Sequence, residues 1–271
     1  IVNSNDEAAT ARLKSMVSPF ILRRKKQDVL KDLPDKLEET IYTRMTDEQE
    51  KIYKALASRL AMELAQTSDE NYQSEKIKFL AELTRLRQIC CAPDLCYEDY
   101  DGGSGKMDAC MDLIESAIAG GHRLLVFSQF TQMLEKLICA YKDKGDYLYL
   151  SGKSSKEQRR QMVDTFQKGE IPVFFISLKA GGTGLNLTAA DMVIHYDPWW
   201  NVAAQNQATD RTHRIGQKNV VTVMKLVMKN TIEEKIIKLQ EEKARLAENI
   251  IEGKGASDSR ISRDELLELL K

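Results

Sequence analysis

The sequence has little of what would place it in a membrane, in an oxidising compartment or on a uniformly basic surface. None of its apolar runs approaches the ~18 residues that span a bilayer, so no membrane partner is expected. Its 5 cysteines are an odd number and include the adjacent pair Cys90-Cys91, which indicates a reducing compartment rather than a disulfide framework. A formal net charge of −1 gives no general affinity for polyanions, although one groove can still be locally basic.

Metal ligands and a processing signal are also missing. Cys91 and Cys96 have no cysteine or histidine partner at the spacing of a zinc site, so no metal site is expected. The chain begins at Ile1 without an initiator methionine or a signal peptide, which predicts that it is cut from a longer chain. A hydrophobic content of 42% and a charged content of 30% fit a globular protein.

The sequence lacks the machinery that hydrolyses ATP. The run from Tyr100 to Met107 looks like a phosphate-binding loop, but such a loop needs glycine at the first of these positions and serine or threonine at the last. No strand is predicted before this run, and none before the Asp-Glu pairs at 6–7, 47–48, 69–70 and 264–265. The phosphate cradle, the Mg²⁺ ligand and the water-positioning carboxylate of ATP hydrolysis are therefore not found.

What the sequence does contain is an alternation of strands and helices after residue 105. Strands are predicted at 124–128, 147–150, 173–177, 192–196 and 220–227, with amphipathic helices between them. This alternation predicts an α/β fold in which helices cover both faces of a parallel sheet. Ligands bind outside the carboxyl ends of such strands, so the polar residues after each strand should cluster along one edge.

The flanking segments are predicted to be helical. The expected division is a helical linker and protrusion at 1–104, the α/β lobe at 105–230, and a brace helix with a tail at 231–271. A polar loop is predicted at 67–73, and capping boxes at Thr46–Gln49, Ser154–Glu157 and Thr231–Glu234. Apolar residues from Ile232 to Ile250 recur at three- and four-residue steps, which favours a helix braced against its own domain over a coiled coil.

The most informative stretch runs from Ile176 to Gln217. Its glycine-rich turn, Lys179-Ala-Gly-Gly-Thr-Gly184, lets backbone N–H groups approach a phosphate. The pattern from Val202 onward is helical, which would place Arg211 and Arg214 on one helix face. Two guanidinium groups on one face suit a polyphosphate, and an ordinary pair of surface arginines is the alternative that these residues alone leave open.

Several segments resemble motifs of one family. Residues 207–217, QATDRTHRIGQ, are similar to the last helicase motif of the Swi/Snf-type ATP-dependent DNA translocases, within helicase superfamily two. Residues 177–187 resemble the preceding motif, and residues 197–201 the segment between them. Ser177-Leu178 departs from the usual Ser-Thr of that motif, a difference that concerns one hydroxyl contact to DNA. Residues 86–91 also resemble the family and are interpreted as core packing.

The resemblance implies the second, C-terminal RecA-like lobe of a two-lobed motor, together with its linker. Both lobes would share one ATP, with the Mg²⁺ ligands on the N-terminal lobe, and this fragment alone would be inactive as an ATPase. Arg23 and Arg24 in the linker would pair with acidic groups or DNA.

The resemblance also implies roles for individual residues. Arg211 and Arg214 would act as arginine fingers on the γ-phosphate, Gly182 and Gly184 would line the nucleotide cleft, and Gln207 would hold the arginine helix in place. Contacts to the DNA backbone would come from residues that follow strand ends: Ser128, Gln129, Phe130, Ser151, Lys153, Ser177, Lys179 and Trp200. For Trp200, ordinary core packing is an equal alternative.

The expected partners are double-stranded DNA, the N-terminal lobe of the same polypeptide and a DNA-bound protein cargo. The compact linker favours a prokaryotic source and a cytoplasmic, nucleoid-associated location; a eukaryotic source would imply the nucleus. Two other functions stay open. One is a strand-separating or RNA-directed enzyme of the same superfamily, and the other is a non-catalytic nucleic-acid-binding module, against which the intact arginine pair counts.

Overall fold

The computed structural model describes residues 15–16, 33–181, 185–199, 202–251 and 263–270, with the backbone alone described at 181, 202–204 and 242–251. Predictions for Arg23, Arg24, Gly182, Gly184 and Trp200 lie outside the described residues. In chain order the elements are β1 (Lys36–Thr43), α1 (Asp47–Gln66), α2 (Asp69–Cys91), a 3-10 turn (Pro93–Leu95), α3 (Gly105–Ala119), β2 (Leu124–Ser128), α4 (Thr131–Tyr141), β3 (Tyr147–Leu150), α5 (Lys156–Lys168), β4 (Val173–Ser177), α6 (Leu178–Gly181), β5 (Met192–His195), α7 (Val202–Thr209), β6 (Val221–Met228), α8 (Ile232–Ile251) and α9 (Arg263–Leu270).

The strands form one parallel sheet in the order β1-β6-β5-β2-β4-β3. The predicted α/β fold with a parallel sheet is therefore confirmed. Strands β2, β3 and β4 have the predicted bounds, β5 ends one residue earlier than predicted, and β6 begins and ends one residue later.

Strand β1 was not predicted, because residues 1–104 were expected to be helical. Its sequence, KLEETIYT, is charged and mostly exposed, so it lacks the alternating apolar pattern of a half-buried strand. Its backbone nevertheless pairs along its whole length with β6, from Lys36 opposite Val221 to Thr43 opposite Met228. An edge strand of this kind is held by its hydrogen bonds and by ion pairs, here Glu38 with Lys36 and Lys225.

Two apolar layers cover the two faces of the sheet. Alternate residues of β2 and β4, Val126 and Phe175 among them, pack against α3 and α4. The intervening residues, such as Phe127 and Phe174, pack on the other side against Phe166 of α5 and the residues that follow β4. The near-continuous apolar composition of these short strands follows from burial on both faces.

Helices α1, α2, α8 and α9 form a second apolar cluster beside the sheet, centred on buried residues such as Leu60, Phe79 and Leu266. Ile232 and Ile236 of α8 are buried in this cluster, which confirms the prediction that this helix is braced against its own domain. No described helix combines the length and the apolar character that crossing a membrane requires.

The predicted capping boxes have different outcomes. Thr46 and Gln49 form one at the start of α1, with Gln49 N donating to Thr46 Oγ1 at 3.3 Å. The second box lies one residue later than predicted, at Ser155 and Gln158, because α5 begins at Lys156.

The third predicted box is wrong. The hydroxyl of Thr231 accepts from Glu233 N at 3.1 Å, and the Glu234 carboxylate accepts from Asn230 N at 2.8 Å. The predicted polar loop at 67–73 is also wrong, because α2 begins at Asp69, where the Ser68 hydroxyl caps the helix.

The glycine-rich run before α3 serves packing. A Cβ at Gly105 would collide with the carbonyl oxygen of Arg44, and Gly103 has a φ of 72°. Lys106 is completely buried and its ammonium group forms an ion pair with Glu233, whose carboxylate also accepts from Met228 N at 2.7 Å. Lys106, which resembles the lysine of a phosphate-binding loop, therefore pairs with Glu233 of α8.

This buried pair gives a prediction for stability. Lys106→Met leaves the Glu233 carboxylate buried without its counter-charge, and should lower the free energy of unfolding by about 3–5 kcal/mol. The double variant Lys106→Met/Glu233→Gln removes both charges and keeps an acceptor for Met228 N, so it should lie closer to the wild type in urea unfolding.

Lys54→Met is the matched control, because Lys54 pairs with Glu50 on the exposed face of α1. It should change the free energy of unfolding by less than about 1 kcal/mol. A double variant as unstable as Lys106→Met alone would contradict the role assigned to the pair.

Candidate functional site

The carboxyl ends of neighbouring strands bring most of the predicted contact residues to one edge. Ser128 at the end of β2 lies opposite Ser177 at the end of β4, and Leu150 at the end of β3 lies opposite Ile176. The segments 128–130, 151–153, 177–179 and 196–199 therefore follow adjacent strands. The prediction that these polar residues cluster along one edge is confirmed.

The three serines at this edge have their hydroxyl groups engaged within the protein. The buried Ser128 donates to Asp197 and accepts from Phe130 N at 3.1 Å. Ser177 accepts from Ala180 N at 3.3 Å, and Ser151 accepts from Lys153 N at 3.3 Å. These serines shape the turns. In this arrangement their hydroxyl groups are not exposed to solvent for the predicted contacts to DNA.

Longer side chains at the same edge do reach the surface. Lys153 and Lys179 are exposed, and Gln129 and Phe130 are partly exposed. The edge thus presents two ammonium groups and part of an aromatic ring, whereas the amide nitrogen of Gln129 is buried. Ammonium groups bind phosphate as point charges, without reading sequence.

The arginine segment differs from its predicted form. Helix α7 ends at Thr209, so Arg211 and Arg214 lie in the turns after it rather than on one helix face. The chain leaves the helix because Arg211 O accepts from Leu187 N at 3.0 Å, and Gly216 then adopts a φ of 103°. Burial lowers the pKa of Arg211, and the positive charge of Arg214 adds to this effect.

This segment is tied to the residues that follow the glycine-rich turn. Besides the bond from Leu187 N to Arg211 O, the Arg214 guanidinium donates from Nη1 to Leu185 O at 3.4 Å. Arg211 is buried, with 5% of its surface exposed, whereas Arg214 is half-buried. Arg214 is therefore the arginine with the better access to a ligand.

The glutamine that holds the segment is not the predicted one. Gln207 is exposed, whereas Gln217 is buried and donates from Nε2 to Ala190 O at 2.8 Å and to Thr212 O at 3.2 Å. Gln205 is also buried and accepts from Trp199 N at 3.3 Å. A clear amphipathic pattern over residues 202–209 would have predicted that Gln205 faces the interior. A helix this short shows too few residues for such a pattern.

Asp197 begins the segment 197–201 that resembles the family, and the structure gives it a role that the sequence did not indicate, because it connects two turns at this edge. Its carboxylate is fully buried and accepts from the Ser128 hydroxyl and from Gln129 N at 3.2 Å. Burial raises the pKa of Asp197 to about 6, against the opposing effects of Arg87 and Ser128. The carboxylate joins the turn after β5 to the turn after β2.

No group of three or more histidine, cysteine, aspartate or glutamate side chains within the described ranges is arranged to hold a metal ion. The potential anion ligands at the site are guanidinium and ammonium groups together with backbone N–H groups. Their chemistry fits phosphate groups.

Comparisons with known proteins agree with this geometry. Residues 105–216 match the helicase conserved C-terminal domain, and residues 2–95 match the SNF2-related domain. A protein of Mycoplasma pneumoniae named as an uncharacterized ATP-dependent helicase is 37% identical over 262 residues, which is 96% of this chain and 25% of the relative. The chain spans between a quarter and a third of the length of such curated relatives.

Solved structures of Sulfolobus solfataricus proteins are also similar. Its SWI2/SNF2 ATPase C-terminal domain is 32% identical with a TM-score of 0.68, covering 87% of this chain and 98% of that one. Its SWI2/SNF2 ATPase core in complex with dsDNA is 35% identical with a TM-score of 0.68, covering 91% of this chain and 53% of that one.

The parallel sheet and the matched helicase segment define the C-terminal RecA-like lobe of a helicase-type motor. The chain belongs to the SWI2/SNF2 family and corresponds to the C-terminal lobe of its ATPase.

A buried histidine beneath the arginine segment makes the stability of the lobe depend on pH. His195 Nε2 and Thr209 Oγ1 lie 2.9 Å apart in a hydrogen bond, and burial lowers the pKa of His195 to about 3, with a contribution from Lys225. The folded state therefore keeps the imidazole neutral, whereas the unfolded chain protonates it near pH 6.5. This contribution to stability is present above pH 6.5 and is lost as the pH falls towards 3.

Between about pH 6 and pH 4, the free energy of unfolding should fall more steeply for the wild type than for His195→Gln, by up to about 1.4 kcal/mol per pH unit. Urea unfolding at several pH values measures both slopes. Thr209→Val is the control, because it removes the hydrogen bond but no titrating group, and should keep the wild-type slope. Equal slopes for the wild type and His195→Gln would show that His195 is not buried in its neutral form.

Proposed function

We propose that this chain is the C-terminal motor lobe of an ATP-dependent translocase of double-stranded DNA. The observation that carries the proposal is that two surfaces are connected, one suited to DNA and the other suited to a nucleotide. The exposed Lys153 and Lys179 lie at the carboxyl edge of the sheet, and the residues after the Lys179 turn are hydrogen-bonded to the segment of Arg211 and Arg214. The residues that follow Lys179 in the chain thus connect groups suited to DNA phosphates with groups suited to a nucleotide.

On the nucleotide side, Arg211 and Arg214 are the arginine fingers, and Gly182, Gly184 and Gln207 complete the set that meets ATP. The access of Arg214 and the burial of Arg211 support a division of labour. Arg214 would reach the γ-phosphate first, and Arg211 would follow when the lobes close. Stabilising the charge that develops on the transferred phosphoryl group is the catalytic role of such arginines.

The remaining parts of the ATP site belong to the N-terminal lobe of the same polypeptide. The described residues supply cations rather than a carboxylate cluster. Lys106, in the run that looks like a phosphate-binding loop, is buried in its ion pair with Glu233. The phosphate-binding loop and the Mg²⁺ ligands are therefore assigned to the other lobe, where bound Mg²⁺ would neutralise phosphate charge.

On the DNA side, the lysines and the turns after β2, β3 and β4 would follow one strand of the duplex by its phosphates. Gln129, Phe130 and Trp200 would complete this surface, with the three serines setting the shapes of the turns. Similarity to a relative whose structure is a complex with dsDNA supports this assignment. Closure of the lobes would shift this grip along the strand, and opening would release it. A protein bound to the same DNA would be the cargo of this movement.

The first test is steady-state ATP hydrolysis by this chain alone, with and without duplex DNA. No turnover is expected in either condition, because half of the composite site is missing. The full-length protein should hydrolyse ATP and be stimulated by duplex DNA. Turnover by the chain alone would mean that it holds a complete site, and the two-lobe proposal would fall.

The second test is Arg214→Ala in the full-length protein. DNA-stimulated kcat should fall by about 10³-fold or more, the lower end of what an arginine finger contributes in other phosphoryl-transfer enzymes. Arg160→Ala is the matched control, because Arg160 is exposed on α5 and pairs with Asp164 at 3.9 Å. Wild-type turnover by Arg214→Ala would remove Arg214 from the catalytic set.

A further inference from the structure

Arg87 of helix α2 contacts both turns of the proposed DNA-facing edge although it belongs to neither. Its guanidinium donates from Nη2 to Pro198 O at 2.5 Å and lies 3.8 Å from Asp197 Oδ2. The same guanidinium lies 5.7 Å from the ring centroid of Phe130. One side chain thus meets the turn after β5 and the turn after β2.

The environment of Arg87 makes these contacts rigid. Arg87 is 3% exposed and Asp197 0% exposed, so the pair has no water to replace either partner. Nearby, Tyr196 donates from its hydroxyl to Cys91 O at 2.8 Å, and Gln240 of α8 donates to Trp199 O. The turn from Tyr196 to Trp199 is therefore held from α2 and from α8, outside the sheet.

Arg87 contacts backbone and ring positions that determine the shape of the edge. A planar guanidinium can reach a carbonyl oxygen and a carboxylate at the same time, whereas an ammonium group is a single point charge. Asp197, in turn, fixes Ser128 and Gln129. Loss of Arg87 would leave the Asp197 carboxylate uncompensated and free the Pro198 carbonyl, so both turns would lose their fixed geometry.

We propose that Arg87 is a positioning residue for DNA engagement, which fixes the two turns at the DNA-facing edge from the helical protrusion. This inference rests on the proposed function. It goes beyond the interpretation of residues 86–91 as core packing, because it predicts an effect on DNA binding rather than on stability alone.

The test uses the full-length protein and a titration of ATP hydrolysis with blunt duplex DNA. Arg87→Met should raise the apparent KM for DNA by about tenfold or more, a difference of about 1.4 kcal/mol in binding. Its kcat at saturating DNA should change by less than about threefold, because a binding defect is overcome by saturation. Arg85→Met is the matched control on the same helix, since Arg85 lies over the ring of Tyr97 at 5.1 Å, and should keep the wild-type KM.

Salt dependence of duplex affinity separates positioning from direct contact. Arg87 is buried and would neutralise no phosphate itself, so Arg87→Met should weaken binding without changing the slope of log affinity against log salt. Lys179→Ala removes an exposed ammonium group and should reduce that slope by about 0.9. A slope that falls equally in Arg87→Met would assign Arg87 to direct phosphate contact and overturn the proposal.

Arg87→Lys supplies a variant that keeps the charge opposite Asp197 but lacks the planar fork. It should give a KM between those of the wild type and Arg87→Met, and it carries the test if Arg87→Met does not fold. A wild-type KM in Arg87→Lys, or a lowered melting temperature with an unchanged KM in Arg87→Met, would contradict the inference. If the wild type itself shows no stimulation by DNA, the proposed function fails first, and that outcome is distinguishable.

Discussion

A carboxylate without access to water has to be balanced by positive charge and hydrogen bonds, and Asp197 imposes that requirement at the carboxyl edge of the sheet. It meets the requirement with the Ser128 hydroxyl and Gln129 N from the end of β2, and with Arg87 from α2. Because Asp197 and these partners come from three places in the chain, the balance can be satisfied only when the sheet edge and the helical protrusion are assembled together. A second buried pair, Lys106 with Glu233, joins the start of α3 to the start of α8 in the same way.

The parallel sheet explains why the functional candidates converge. Strands β2, β4 and β5 are buried along their whole length, so the polar residues beside them lie at the strand ends, and parallel strands place all their carboxyl ends on one side. The exposed Lys153 and Lys179 are then neighbours by topology, because the adjacent strands β3 and β4 precede them. The order β5-β2-β4-β3 brings the turns after these strands into one row.

The elements that the sequence predicted correctly are those whose apolar residues recur at regular steps. The apolar strands β2 to β6 and the amphipathic brace helix were predicted because burial leaves a repeating pattern. Strand β1 was missed because its stability comes from pairing with β6 and from ion pairs of Glu38, which leave no apolar alternation. The helix predicted for Arg211 and Arg214 was extended too far, and the bond between Leu187 N and Arg211 O is a tertiary contact that local propensity does not contain. Arg87 and Asp197 lie about a hundred residues apart, and a buried pair of that kind leaves no local signal.

The turns that hold the arginines also limit how they can act. In a helix, both guanidinium groups would move as one rigid face. In the observed turns, Arg214 is anchored to Leu185 O through its side chain, whereas Arg211 is anchored to Leu187 N through its backbone carbonyl. A ligand that draws the Arg214 guanidinium away must therefore break a side-chain bond, while the backbone bond of Arg211 can persist. The residues after the glycine-rich turn would then lose a hydrogen bond to the arginine segment, and they connect along the chain to Lys179. In the proposed function, nucleotide contact and the grip on DNA would be linked through that change of bonding.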